Sequence, residues 1–155
     1  MNPEVSIITP SYNSINYIET TIKSVLSQTY TNWEMVIVDD SSTDGSVELI
    51  MMYCKIDSRI KLYVLKENVG SGETRNVCIK KAKGRYLAFL DSDDLWNSTK
   101  LEKQITNTNL TLSTPKDLNK HPAFHRNRAG RSPSAAANLS NLPALTNAWD
   151  GDGLQ

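Results

Sequence analysis

The sequence predicts an α/β fold, a doubly wound and mostly parallel sheet, on three observations. Four short β-rich runs alternate with stretches of helical period: Val5-Ser-Ile-Ile-Thr9, Trp33-Glu-Met-Val-Ile-Val38, Ile60-Lys-Leu-Tyr-Val-Leu65 and Arg85-Tyr-Leu-Ala-Phe-Leu90. Such a βαβαβαβ order, with short connections, is what right-handed crossovers build into a parallel sheet. The fourth run is apolar without alternation from Tyr86 to Leu90, the pattern of a strand buried on both faces. It stops abruptly in Asp91-Ser92-Asp93-Asp94, and in open α/β sheets the carboxyl ends of strands are where ligands bind.

The first strand is expected to stop at Pro10, which cannot donate to a ladder. A turn through Ser11-Tyr12-Asn13-Ser14 leads to a helix from Ile15 to Gln28, with Ile15, Ile18, Ile22, Val25 and Leu26 at helical spacing and Asn13 or Ser14 placed to cap it. The second strand ends in acid and turn residues, Asp39-Asp40-Ser41-Ser42-Thr43-Asp44-Gly45, before a helix from about Ser46 to Lys55. Asn68 to Gly72 form a loop after the third strand, and Glu73 to Ala82 the next helix. A last helix opens near Ser98-Thr99. From Thr106 the period is lost in Asn, Thr, Ser, Pro and Ala, so residues 1–105 are expected to form the compact domain and residues 106–155 a polar tail of low order, a truncated, out-of-frame or unrelated end.

Composition narrows the function classes. Seventeen basic side chains balance seventeen acidic ones, so no global charge points to nucleic acid or to an anionic membrane. The basic knot from Lys120 to Arg131 reads as solvated charge, and His121-x-x-x-His125 lacks the cysteines that would complete a zinc motif. Cys54 and Cys78 are far apart within helices, as reduced thiols of a cytoplasmic protein would be. No apolar run reaches the roughly 18 residues of a membrane span, and Met1-Asn-Pro-Glu4 is no signal peptide. A cytoplasmic location is therefore expected, with attachment to the inner face of a membrane as the variant.

Four clusters follow the four strands, and their chemistry is complementary to a nucleotide diphosphate. Tyr12 offers a flat face and a hydroxyl, Asp39 an acceptor for a base N–H, and Arg75 a fork for phosphate. Asp91 and Asp93 offer hard oxygen ligands to Mg²⁺ or Mn²⁺, which keep positions open for phosphate oxygens. The plainer reading of the acidic run is a loop that caps the helix at Ser98 or Thr99.

Thr9-Pro-Ser-Tyr-Asn13, Val38-Asp-Asp-Ser-Ser-Thr-Asp-Gly45, Asn68-Val-Gly70 with Thr74-Arg-Asn76, and Phe89-Leu-Asp-Ser-Asp-Asp-Leu-Trp96 resemble, in order, the motifs of the family 2 glycosyltransferases of GT-A fold. The resemblance covers about residues 3–105 and extends into Lys100-Leu-Glu-Lys-Gln104. It implies a metal-dependent, inverting transfer of sugar from a nucleotide diphosphate sugar, a UDP-sugar by expectation, to a saccharide or lipid-linked acceptor in polysaccharide biosynthesis. By the same resemblance Thr9, Pro10, Tyr12 and Asp39 would hold the base and ribose, Arg75 the base or phosphate, Asp91 and Ser92 the ribose side, and Asp93 with Asp91 the metal of the D-x-D motif.

The chain departs from the pattern at Thr74, at Cys78 where a small Gly is common, and at Ser98 where Pro is frequent. The family's acceptor half and its general base have no counterpart in the text, and Asp117, Asp150 and Asp152 have no motif around them. A catalytically dead nucleotide-binding remnant is therefore one alternative. A phosphoacceptor signalling domain is another, although its acidic pair would follow the first strand. A dinucleotide-binding Rossmann motif fits poorly, since Gly70-Ser-Gly72-Glu-Thr-Arg75 follows the third strand and ends in Arg.

Overall fold

The computed structural model describes residues 2–111 together with Ala144 and Leu145. Strands β1 (Val5–Ser11), β2 (Trp33–Asp39), β3 (Ile60–Val64), β4 (Tyr86–Phe89) and the two-residue β5 (Ala144–Leu145) form one sheet, in the order β3-β2-β1-β4-β5 with every pairing parallel. Helices α1 (Ile18–Leu26), α2 (Ser46–Ile56), α3 (Ser71–Lys81) and α4 (Lys100–Thr111) connect or follow the strands. Lys120 to Arg131, with His121 and His125, and the acids Asp117, Asp150 and Asp152 lie outside the described residues.

The winding follows from handedness. From β1 to β2 to β3 the chain steps in one direction, and α1 and α2 pack on one face through Ile18, Ile22, Val25 and Ile50 against Val5, Ile7, Met35 and Ile37. It then returns past β1 to β4, so a right-handed crossover puts α3 on the opposite face, where Cys78 meets Ile8, Val36, Val38 and Leu87. Leu101 and Ile105 bring α4 back to the first face. The direction reverses between β1 and β4, and a crevice opens beyond the carboxyl ends at such a switch point.

Side-chain alternation divides the central strands between the two cores. Odd positions of β1 and β2 (Val5, Ile7, Met35, Ile37) face α1 and α2, whereas even ones (Ile8, Val36, Val38) face α3. Every residue of both strands is buried, as expected of strands covered on two sides.

Pro10 does not stop β1, which runs on to Ser11 in register with Asp39. Ile8 accepts from Leu90 N on the β4 side, and Ser11 accepts from Asp40 N on the β2 side. Alternation therefore turns Pro10 towards β4, whose pairing has already ended at Ile8↔Phe89, so no ladder partner is deprived of its missing N–H. The first helix starts at Ile18 rather than Ile15, because Ser14 and Asn13 are engaged elsewhere. Asn13, at φ 47°, donates its N–H to Ser42 Oγ and accepts from Thr43 N, while Ser14 N donates to Ser46 Oγ. The helix near Ser98 starts at Lys100 and continues to Thr111, six residues beyond the expected domain boundary at 105.

At the amino end of the sheet, Gly84 passes so close to β1 that a Cβ would lie 2.5 Å from Ser6 N. There Ser6 Oγ accepts from Gly84 N at 2.8 Å and donates to Glu34 Oε1 at 2.6 Å, which also accepts from Lys83 N. Both cysteines are free thiols, and burial pushes Cys78 up to about 12.

Candidate functional site

The crevice at the switch point is a cavity of about 430 Å³. Its lining comes from the carboxyl ends of four strands: Pro10, Ser11 and Tyr12 at the end of β1, Asp40 after β2, Asn68, Gly70, Ser71, Thr74 and Arg75 from the loop after β3 and the first turns of α3, and Asp91, Ser92 and Asp93 after β4. Of the residues expected from the sequence, Pro10, Tyr12, Arg75, Asp91, Ser92 and Asp93 are brought together here.

Thr9 and Asp39 are not on the lining, and the alternation of the strands is the reason. Both are odd positions, continuing the α1 face, and both are fully buried. The Asp39 carboxylate is taken up locally: Oδ1 accepts from Ser42 N at 2.8 Å, and Oδ2 from Ser42 Oγ at 2.6 Å, with Ser11 Oγ at 3.4 Å. Asp40, one residue on, continues the α3 face and reaches the cavity. Period-two counting along Val36 and Val38 was the signal for it. Its carboxylate accepts from Val69 N at 2.8 Å and Gly70 N at 2.9 Å, fixing the loop that delivers α3, and each oxygen keeps a second lone pair.

Gly70 enters α3 at φ 86°, a backbone that favours glycine. One turn in, Thr74 is buried and hydrogen-bonds back to Gly70 O at 2.8 Å, which leaves Arg75 on the cavity side. Arg75 Nη2 donates to Asp91 Oδ1 at 2.7 Å. Tyr12 is half exposed, its ring free to take a flat ligand.

The acidic run is a turn closed by Asp94 N donating to Asp91 O at 3.1 Å. It does not cap α4, whose start is organised by Asn97: Oδ1 accepts from Thr99 N and Oγ1, and its carbonyl from Lys100 N. Burial, and then the negative charges of Asp93 and Asp91, hold the Asp94 carboxyl above the usual carboxylate range. Arg75 compensates Asp91 alone, and Asp93 has no hydrogen bond or ion pair among the described residues. Among those residues no three His, Cys, Asp or Glu side chains converge on a point. Two hard carboxylates in excess negative potential, short of a full cage, fit a cation such as Mg²⁺ that completes its shell with phosphate oxygens and water.

A nucleotide-sized cavity at the switch point of a parallel sheet, with an aromatic face, one arginine and a carboxylate pair, is the architecture of a nucleotide-binding α/β domain. The family is established by sequence: residues 6–109, two thirds of the chain, match the model of Glycosyl transferase family 2, and the chain belongs to that family. The putative teichuronic acid biosynthesis glycosyltransferase TuaG of Bacillus subtilis is 55% identical over 103 residues, covering 66% of this chain and 41% of that protein. The UDP-Glc:alpha-D-GlcNAc-diphosphoundecaprenol beta-1,3-glucosyltransferase WfgD of Escherichia coli is 48% identical over 102 residues, covering 66% and 40%. The chain thus spans about two fifths of the length of these relatives.

Among solved structures, S. aureus TarS 1-349 in complex with UDP superposes with a TM-score of 0.67 at 33% identity, over 70% of this chain and 33% of that one. The mannosyltransferase PcManGT of Pyrobaculum calidifontis, in complex with GDP-Man and Mn²⁺, gives 0.62 at 26% identity, over 74% and 34%. The fold is that of the GT-A glycosyltransferases, as the sequence motifs imply, and the phosphoacceptor alternative falls away. No helix among the described residues is long and apolar enough to cross a membrane.

Proposed function

We propose that the cavity binds the nucleotide diphosphate of a sugar donor, a UDP-sugar in the first instance, and that the stretch from β1 through α4 is the donor-binding domain of a polysaccharide-synthesising transferase. The observation that carries this reading is the convergence of Tyr12, Asp40, Arg75, Asp91 and Asp93 on one cavity of about 430 Å³. Tyr12 stacks on the base, and Asp40 accepts from its N–H with the lone pairs that Val69 N and Gly70 N leave over. Asp39 holds the turn through Ser42 and acts from beneath. Arg75 takes the diphosphate, and Asp91 and Asp93 hold a Mg²⁺ or Mn²⁺ ion, with Ser92 between them at the ribose side. When bound, that ion supplies neutralising charge to the departing diphosphate. The names of WfgD and of the TarS complex with UDP support the uridine assignment.

The transfer we propose inverts the anomeric centre. A carboxylate deprotonates the acceptor hydroxyl, of a saccharide or a lipid-linked saccharide, which attacks opposite the leaving diphosphate. No described residue is assigned as that base. Calorimetric titration with UDP, GDP and ADP tests the donor assignment: UDP should bind at least about tenfold tighter than ADP, whose ring nitrogen accepts where that of uracil donates, the worth of one well-placed hydrogen bond. Equal affinity for all three would remove the base pocket from this account.

A further inference from the structure

Helix α1 shares no lining residue with the cavity, yet one face of it carries the whole acidic loop. Thr21, fully buried, directs Oγ1 to two carbonyls at once, Ser92 O and Asp94 O, each at 2.9 Å. Those are the carbonyls of the two residues that neighbour Asp93 in the chain. One turn on, Ser24 Oγ accepts from Trp96 N at 3.2 Å, and a further turn on Gln28 donates to Asn97 O at 2.7 Å and accepts from Leu101 N at 3.0 Å. The spacing of Thr21, Ser24 and Gln28 puts these groups in a row on one helix face.

We infer that Thr21 is a positioning residue for Asp93: its hydroxyl, gripping the carbonyls of the residues on both sides, holds the turn and so fixes the direction in which that carboxylate leaves the backbone. The argument is one of donor count. A threonine hydroxyl has a single proton, and its own helix offers only Tyr17 O at 3.4 Å, so the proton is shared by the two loop carbonyls. Asp93 itself has no protein partner among the described residues to hold it, so its direction depends on the backbone that Thr21 holds. Valine at this position keeps the branched shape and removes the donor; serine keeps the donor and removes the methyl. The inference rests on the proposed reading of Asp91 and Asp93 as ligands of a metal shared with the nucleotide.

The test compares wild type, Thr21→Val and Thr21→Ser by titrating UDP in excess Mn²⁺ and in excess chelator, and by hydrogen exchange of the metal-free protein. Thr21→Val should lower the Mn²⁺-dependent gain in UDP affinity by about tenfold or more while binding in chelator stays within about twofold, because only the metal-linked part of the coupling is touched. Exchange at the Asp94 and Trp96 amides should quicken in Thr21→Val while that of Ile7 and Ile37 stays slow, and Thr21→Ser should behave as wild type in both measurements. Full coupling in Thr21→Val, or an equal loss in Thr21→Ser, overturns the inference. Should Thr21→Val not fold, Thr21→Ala, which also removes the donor, carries the test beside Thr21→Ser: it should lower the coupling in the same way, and unchanged coupling overturns the inference. A wild type whose UDP affinity is indifferent to Mn²⁺ is a separate result, read without any variant; it overturns the metal reading and this inference with it.

Discussion

Arg75 Nη2 donates to Asp91 Oδ1 at 2.7 Å, joining α3 to the residue that ends the β4 run, with both side chains more than a third exposed. A pair so placed is screened by water and adds little to stability. Its consequence is local: Asp91 is compensated and directed, and Arg75 is poised where a diphosphate would lie. Arg75→Met, which keeps the apolar stem, should change folding stability by less than about 1 kcal/mol. It should weaken UDP by about 1.5–3 kcal/mol, the range for a hydrogen bond to a charged group. Thermal melting beside a UDP titration checks both, and a large loss of stability with intact UDP binding would reverse the assignment.

Asp39 and Asp40 are adjacent carboxylates with separate expected effects. Asp39→Asn should cost about 1–3 kcal/mol of stability, since the buried oxygen that accepts from Ser42 becomes an amide. The preference for UDP over ADP should survive it. Asp40→Asn should erase that preference, because one of the two oxygens that serve Val69 N, Gly70 N and the base N–H becomes a donor. Urea denaturation and paired titrations separate the two, and a variant pattern the other way round would return the base contact to Asp39.

Gly84→Ala should destabilise the protein by about 1–3 kcal/mol or more, an overpacking effect with no room to relax. The added carbon would meet backbone, Ser6 N at 2.5 Å and the Val5 carbonyl carbon at 2.7 Å, rather than a mobile side chain. A urea midpoint equal to that of wild type would show that the amino end of the sheet gives way more easily than its hydrogen bonds imply.

Asp57 closes the α2–β3 turn by accepting from Arg59 Nη2 at 2.7 Å and Arg59 N at 2.9 Å, and Arg59 lies over the Trp33 ring at 3.7 Å. The Arg59 side chain is the main cause holding the Asp57 carboxyl below the usual range. A depressed carboxylate stabilises the fold above its unfolded pKa and ceases to do so as pH falls through the folded value. Asp57→Asn should therefore cost about 1 kcal/mol at neutral pH, the worth of a partly screened charged bond, and nothing in strong acid. Denaturation curves across that range check the sign, and a gap that widens in acid would contradict it.

Strands β1 to β4 were legible because the central ones are covered on both faces, so β-rich runs and helical periods stood out, whereas the two-residue β5 lies in the stretch expected to be a tail of low order. Element ends were less so. Pro10 stays in β1 because its neighbour strand is one step shorter, and Asn13 and Ser14 serve the Ser42–Ser46 loop rather than α1, relations between distant segments that no local pattern carries. The cavity's acids and arginine were legible as motifs at strand ends. Asp40 was hidden beside Asp39 until the two faces of β2 were told apart, and Thr21 was hidden because its role lies in backbone carbonyls 71 and 73 residues away.

The measurement that bears most directly on the central claim is the affinity of UDP in excess Mn²⁺ and in excess chelator, for wild type and for Asp93→Ala. Metal and nucleotide that share ligands raise each other's affinity by one factor, because linkage is reciprocal. Wild type should bind UDP at least about tenfold tighter with Mn²⁺, a coupling of roughly 1.4 kcal/mol, whereas Asp93→Ala should fold normally and lose the difference. Equal UDP affinity with and without Mn²⁺ in the wild type would contradict the account and leave the Asp91–Asp94 turn a structural loop.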